Sequence, residues 1–252
     1  MHTTYDERRR ALHRILIFYL AVCPALGFIL AQAASFLTTL YLHRRSTHRS
    51  LQFHPWVETF MQFWLWILTG INRKEWVAVH LCHHAHADEQ GDPHSPRLLG
   101  FWRVQLGNIF YYRRAARDPA VLEYAKHITP SLAERTVFKF GTLGFTAGIA
   151  ILWYALGFLP MCVIAGTHML FYIIVIPGLV NGLCHFRGYK NFPESPAFNN
   201  RLVAWLTAGE GLHNNHHHSP GNPSLRVKRS EIDLGWIAIR LLTSLKLATV
   251  SR

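Results

Sequence analysis

"WVETFMQFWLWILTG", residues 56–70, is apolar enough to suggest a membrane span and too short to be one. At 1.5 Å per residue it reaches about 22 Å, against a hydrocarbon core of about 30 Å. It also carries Glu58. Histidine-rich stretches flank it, "HRRSTH" (43–48) before and "HLCHH" (80–84) after. Were 56–70 to cross, these stretches would lie on opposite faces, about 30 Å apart, and could share no site. A re-entrant or interfacial helix over 56–70 keeps them on one side, and the rest of the topology follows from that choice.

Working outward, Ile15 to Leu42 contains no charged residue. It is long enough to cross once and continue beyond the bilayer, with a kink expected at Pro24. Val137 to Leu183 holds two apolar stretches joined around Gly157–Pro160. It predicts a transmembrane hairpin over 137–157 and 160–181. "IDLGWIAIRLLTSLKLATV" (232–250) sets Asp233, Arg240 and Lys246 among apolar residues at helical spacing, which predicts an amphipathic helix on the membrane surface or against the cytoplasmic part. The expected fold is an all-α integral membrane protein, one domain over 1–252. It has three transmembrane helices (spans about 15–42, 137–157 and 160–181) and a cytoplasmic histidine-rich helical cap. Three crossings leave Arg8–Arg10 outside, against the positive-inside tendency. A distorted N-terminal hairpin, giving four crossings, is the alternative.

Composition agrees with a membrane protein. Of 252 residues, 50% are hydrophobic and only 16% charged, with a formal net charge of +12. The basic residues border apolar blocks, as in "YLHRRSTHRS" (41–50) and "FYYRRAAR" (110–117). That pattern points to lipid headgroups and cytoplasmic anchoring rather than to nucleic acid. Cys23, Cys82, Cys162 and Cys184 form no CxxC pair, which argues for a reducing, cytoplasm-facing site without a disulfide framework. The N-terminus does not read as a signal peptide, because the apolar run behind it is too long and lacks a small-residue cleavage motif.

The histidines carry the chemistry. Box one offers His43 and His48; box two His80, His83 and His84; box three, "HNNHH", His213, His216 and His217. On an α-helix, positions i, i+3 and i+4 share a face, so boxes two and three each aim three imidazoles one way. An i, i+5 pair is about 140° off alignment, so the box-one histidines either reach different ions or sit where the helix ends. "NGLCH" (181–185) adds Asn181 and His185 on one face at the end of the last span. Nine imidazoles exceed what one ion takes, whereas two ions with four or five each use them all. An all-nitrogen donor set suits iron, copper or zinc. Glu75, Asp88, Asp92 and Glu210 lie beside the boxes and are expected to orient imidazole N–H groups. His86, His94 and His218 also lie close, and are not expected to ligate directly.

Three boxes in this order and spacing resemble the membrane fatty acyl desaturases, over a stretch from about Tyr41 to the C-terminus. "NRKEWVAVHLCHHAHADEQGDPHSP" (72–96), "NGLCHFRGYKNF" (181–192) and "GEGLHNNHHHSP" (209–220) look like the bacterial Δ9-type branch, which acts on acyl-lipid or acyl-CoA substrates. The resemblance implies two iron ions held by His43, His48, His80, His83, His84, His185, His213, His216 and His217, with O2 as co-substrate. Asn181 matches a position that approaches one iron through water, and Asp92 and Glu210 would support the ligands. It also implies a closed apolar tunnel for a long saturated acyl chain, with Trp64 and Trp66 as wall candidates. The expected reaction is insertion of a cis double bond, at Δ9, in a bacterial inner membrane with the site facing the cytoplasm. No HPGG haem motif occurs, so electrons are expected from a separate ferredoxin, rubredoxin or cytochrome with an NAD(P)H reductase. Animal acyl-CoA desaturases carry an Arg-Asp pair just before box two; Ala78–Val79 stands there instead, which leans toward chains already in phospholipid. A hydroxylase or acetylenase on the same scaffold, and a non-catalytic membrane metal protein, are the competing readings.

Overall fold

The computed structural model describes residues 2–251, and the side chains of all of these except 2–6, 11 and 12. Helix α1 (Glu7–Thr47) is continuous, with no hairpin turn within it. It is about 62 Å long by helical rise. Arg8–Arg10 therefore lie at its far end from box one. A π-turn at Phe18–Val22 sits just before Pro24, where the missing N–H already interrupts the ladder. After α1, strand β1 (Leu51–Phe53) leads into α2 (Pro55–Thr69), with Pro55 in its first turn.

Helix α2 runs back alongside the box-one end of α1, tied to it by Arg45–Glu58 at 2.5 Å and by Gln62 to the Tyr41 hydroxyl. It stops at Gly70, whose left-handed φ of 65° lets its N–H close on the Trp66 carbonyl. Asn72 then caps α3 (Arg73–Ala85) by accepting from the Glu75 N–H, and α3 carries box two back toward box one. The α2–α3 turn thus returns the chain to the end it started from.

Helix α4 (Phe101–Ala115) follows, then α5 (Gly141–Leu156) and α6 (Phe158–Phe186), with Gly157 alone between the last two. The hairpin expected at 137–157 and 160–181 has its turn where anticipated, but its first helix begins only at Gly141. A backbone break at Phe140 separates it from the turn over Glu134–Phe138. Gly141 must be glycine for packing: a Cβ there would lie 2.0 Å from the Gly70 carbonyl oxygen. Gly27 likewise lets α1 and α6 touch, since a Cβ would meet the Ile164 carbonyl oxygen at 2.5 Å. Among the described residues two helices, α1 and α6, are long and apolar enough to cross a membrane; α5 and the C-terminal helix are apolar but shorter.

Two corrections concern the C-terminal end. Helix α8 (Leu234–Ser244), which follows the short box-three helix α7 (His213–His218), covers only part of the stretch 232–250. Beyond it, Ala248–Val250 form strand β2, antiparallel to β1 in the register Leu51↔Val250, Gln52↔Thr249, Phe53↔Ala248. The fold is mostly helical rather than all-α. Burial alternates along β1, with Leu51 and Phe53 inward, and these join Leu40, Leu42, Met61, Leu65 and Ile239 in the main core. Beside this core, Arg44 and Asp233 form a fully buried ion pair, Nη2 to Oδ1 2.8 Å and Nη1 to Oδ2 3.2 Å. Asp233 also caps α8 through the Trp236 N–H at 2.8 Å. The ion pair fastens box one to the C-terminal segment.

Candidate metal centre

Box one lies in π-helical backbone over Thr38–Thr47, and the His48 N–H closes on the His43 carbonyl at 3.1 Å. An i→i+5 turn removes the misalignment that an α-helix would impose. The two box-one rings come within 4.8 Å of each other and face the same centre, not different ones. From α3, His80 and His84 join them, four residues apart on one face, while His83 points to the other side. Helix α7 divides in the complementary way. His216 goes to the first group; His213 and His217 go to the second.

Two clusters result. The first holds His43, His48, His80, His84 and His216; the second His83, His185, His213 and His217. In each, the potential ligand atoms all lie within 4.8 Å of one another. These are the nine histidines of the sequence reading, divided five and four. Nε2–Nε2 separations are 3.0 Å for His43–His216, 3.1 Å for His48–His80 and 2.9 Å for His84–His216. In the second cluster they are 3.1 Å for His83–His185 and 3.3 Å for both His83–His217 and His213–His217.

Carboxylates decide which ring nitrogens carry protons. Asp92 accepts from His83 Nδ1 at 3.0 Å, Asp88 from His185 Nδ1 at 3.0 Å, and Glu210 from His43 Nδ1 at 2.8 Å. Burial lifts the Asp92 carboxyl to about 6, which leaves it ionised at neutral pH. Burial also works against ionised Asp88 and Glu210, but hydrogen bonds from His185 and Ser95 to the one and from His43 and Thr39 to the other, with Arg97 and Arg44 nearby, hold both below their ordinary values. With Nδ1–H donated to a carboxylate, Nε2 keeps its lone pair. His83 and His185 therefore point two lone pairs at each other across 3.1 Å. Burial first, then the neighbouring imidazoles, push His80, His83, His213, His216 and His217 well below the ordinary histidine value, and His84 to about 3, so these rings do not relieve the crowding by taking up protons. A cation between the lone pairs relieves it. Bonds of about 2.0–2.1 Å at angles of 90–109° set ligand nitrogens about 2.9–3.4 Å apart, the spacing found here. The residues fit a pair of metal ions.

Other expected residues fall differently. Asn181 donates to Asn108 Oδ1 at 3.3 Å and meets no box histidine among the described contacts. Glu75 lines the adjoining cavity without touching a box histidine. His94, set aside in the sequence, is buried 3.5 Å from Asp92 and forms a third potential group with His83 and Asp92. The "GDPH" run could have signalled it. His86 bonds Tyr124 and His218 pairs with Glu194, both at 2.8 Å. Thr39, which sequence reasoning missed, donates to Glu210.

A cavity of about 680 Å³ opens beneath His43, His80 and His213 and descends between α1 and α6 past Thr38, Leu68 and Tyr172. Trp76, stacked on His80 at 4.8 Å, forms its wall. Trp64 and Trp66, the expected wall residues, do not line it. Trp64 is exposed, and Trp66 packs on Gly144 and donates to the Phe140 carbonyl at 2.9 Å. Helix α2 turns its aromatic face outward and toward α5, so these rings point away from the histidines.

Residues 17–229 match the family described as Fatty acid desaturase. Among similar proteins is the sn-1 stearoyl-lipid 9-desaturase of Anabaena variabilis, 31% identical over 84% of this chain and 76% of that protein. An Acyl-CoA 5-desaturase of Anemone leveillei is 31% identical over 91% of this chain and 68% of its own. Delta-9 acyl-lipid desaturase 1 of Arabidopsis thaliana is 29% identical over 84% and 69% respectively. With most of its length matched and its relatives named for one reaction, the chain belongs to the fatty acid desaturase family and is an oxidoreductase.

Proposed function

We propose that this protein is an O2-dependent di-iron desaturase that introduces a cis double bond, at Δ9, into a long saturated acyl chain. The observation that carries the reading is the five-and-four division of nine imidazoles, buried or half-buried, whose ring nitrogens converge at the spacing of ligands around a cation. His43, His48, His80, His84 and His216 would hold one iron, and His83, His185, His213 and His217 the other. When bound, the irons supply with O2 the oxidant that an unactivated C–H bond requires, since such a bond offers no proton for acid–base catalysis.

The chain's own residues do the rest. Glu210, Asp88 and Asp92 hold Nδ1 protons and so fix ring orientation. The cavity holds the acyl chain extended beneath the histidines, with Trp76 and Val79 limiting its path and excluding water. Arg113, Arg117 and Asn108 line the same cavity and suit the polar end of the substrate. Ala78 and Val79 are buried and uncharged, which supports a phospholipid-linked chain over a CoA-linked one. Electrons come from a separate ferredoxin, rubredoxin or cytochrome with its NAD(P)H reductase. The protein sits in a bacterial inner membrane through α1, α5 and α6, with α2 re-entrant and the histidines facing the cytoplasm.

Expression with an electron donor, followed by profiling of membrane lipids, tests this. New monounsaturated chains are expected, with two irons per chain. Hydroxylated or triple-bonded products without an alkene replace desaturation by a sister reaction; zinc without O2 uptake removes the oxidative reading altogether.

A further inference from the structure

A second cavity, about 410 Å³, lies on the other side of the α3 N-terminus from the histidines. It shares only Ile71, Asn72 and Glu75 with the first. Its inner end is Tyr41, Leu65 and Trp66. Its outer wall is the segment from Ile128 to Lys139, held by Arg73, which makes two bonds to Glu134 at 2.5 and 2.8 Å and one to the Thr129 carbonyl at 3.0 Å. That pairing cancels one cation against one carboxylate.

Three further cations line this cavity: Lys74, Arg135 and Lys139. Among the described residues none has a carboxylate within ion-pair distance, and Lys139 instead stands 4.7 Å over the Phe140 ring. Glu75, half-buried, is the remaining acid, and burial pushes its carboxyl up toward the neutral form. The cavity is therefore net positive. Beside its lining residues in the chain stand exposed apolar side chains: Phe63 and Trp64 between Gln62 and Leu65 on α2, Phe140 next to Lys139, and Leu143 in the first turn of α5. Unpaired cations beside exposed aromatic and aliphatic side chains match a phosphate on top of hydrocarbon chains.

We propose that this cleft is a binding site for an anionic phospholipid, separate from the metal centre and its cavity. Arg135, Lys139 and Lys74 take the phosphate, and the acyl chains lie along Phe63, Trp64 and Leu143. Arg73–Glu134 keeps the outer wall in place and makes no contact with the lipid. The occupant is a membrane lipid rather than a soluble phosphate because exposed apolar side chains, Phe63, Trp64 and Phe140, adjoin the charged lining residues in the chain.

Native mass spectrometry of the full chain in detergent, titrated with phosphatidylglycerol and with phosphatidylcholine, tests the proposal. Phosphatidylglycerol is expected to bind at least tenfold more tightly. Removing a cation beside an anionic headgroup costs about fivefold in affinity, so Arg135→Gln with Lys139→Gln weakens phosphatidylglycerol about thirtyfold. Arg226→Gln with Arg229→Gln, exposed cations elsewhere, leaves it unchanged. Unaltered metal content in the first double variant shows that the fold is intact. Equal binding of the two lipids, or full retention of phosphatidylglycerol by that variant, overturns the proposal. So does displacement of the lipid by millimolar inorganic phosphate, which would make this an ion site.

Discussion

Replacing Asp233 by Asn separates charge from shape at the joint between box one and the C-terminal segment. Asparagine retains an oxygen for the Trp236 N–H and so keeps the α8 cap. What it loses is the Oδ2 acceptor of the Leu225 N–H and, chiefly, the negative partner of Arg44, a guanidinium only 1% exposed whose other acceptors are the Pro223 and Ala208 carbonyls. Removing one member of a buried pair strands the other charge and costs about 3–5 kcal/mol. For a protein of this size each kcal/mol lowers the melting temperature by about 2–4 °C, so a fall of roughly 6–20 °C is expected. The nearest remaining carboxylate is Glu210, 3.9 Å from Arg44 Nη2 and bonded to His43. Drawing Glu210 toward Arg44 loosens that imidazole, and metal affinity is expected to fall about 10–100-fold. The assay is thermal unfolding in detergent by circular dichroism, with metal content measured in parallel. In an Arg44→Met background, Asp233→Asn should cost no more than the stranded Leu225 N–H, about 1–3 kcal/mol and less than beside Arg44, because no stranded guanidinium is left. Equal losses in both backgrounds would refute the account.

Other outcomes follow from the same geometry. Either His84→Ala or His216→Ala should abolish desaturation and reduce metal from two ions to one per chain while membrane insertion persists; wild-type product yield would remove these residues from the ligand set. Glu210→Gln should weaken metal about 10–100-fold with little change in fold, measured by competition with a chelator. Acid should release metal. The folded values of His48, His80, His83, His213, His216 and His217 lie below the ordinary 6.5, and His84 at about 3, so the unfolded chain binds more protons below 6.5. Stability is then full above about 6.5 and declines as pH falls below it, and protons compete with metal for the same lone pairs. Metal content after equilibration from pH 8 to pH 4 checks the direction. Gly27→Leu should force α1 from α6 and cost about 1–3 kcal/mol, read as a lower melting temperature.

Much of the site was legible because its signals are local. Boxes two and three announce themselves through i, i+3, i+4 spacing, and the helix ends beside them locate His185. Which imidazole belongs to which group was not legible. It depends on π-helical closure from His43 to His48, and no i, i+5 pair declares whether its backbone is α or π. The carboxylates were visible as neighbours in sequence, but their pairing with particular rings needed the fold: Asp88 serves His185, 97 residues away. Trp64 and Trp66 misled because an all-round apolar helix gives no sign of which face meets a cavity. Strand β2 was hidden for a related reason. Ala248–Val250 continue the apolar pattern of α8, and only pairing with Leu51–Phe53 turns them into a strand.

The Arg44–Asp233 pair has a consequence for biosynthesis. Box one precedes its clamp by 189 residues, and the box-three imidazoles also follow it at long range. Helices can enter the bilayer in order of synthesis while the centre stays unassembled until box three has been made. Capture of the proposed irons therefore follows insertion, and cells starved of iron should accumulate an inserted, clamped apoprotein whose imidazoles hold no ion.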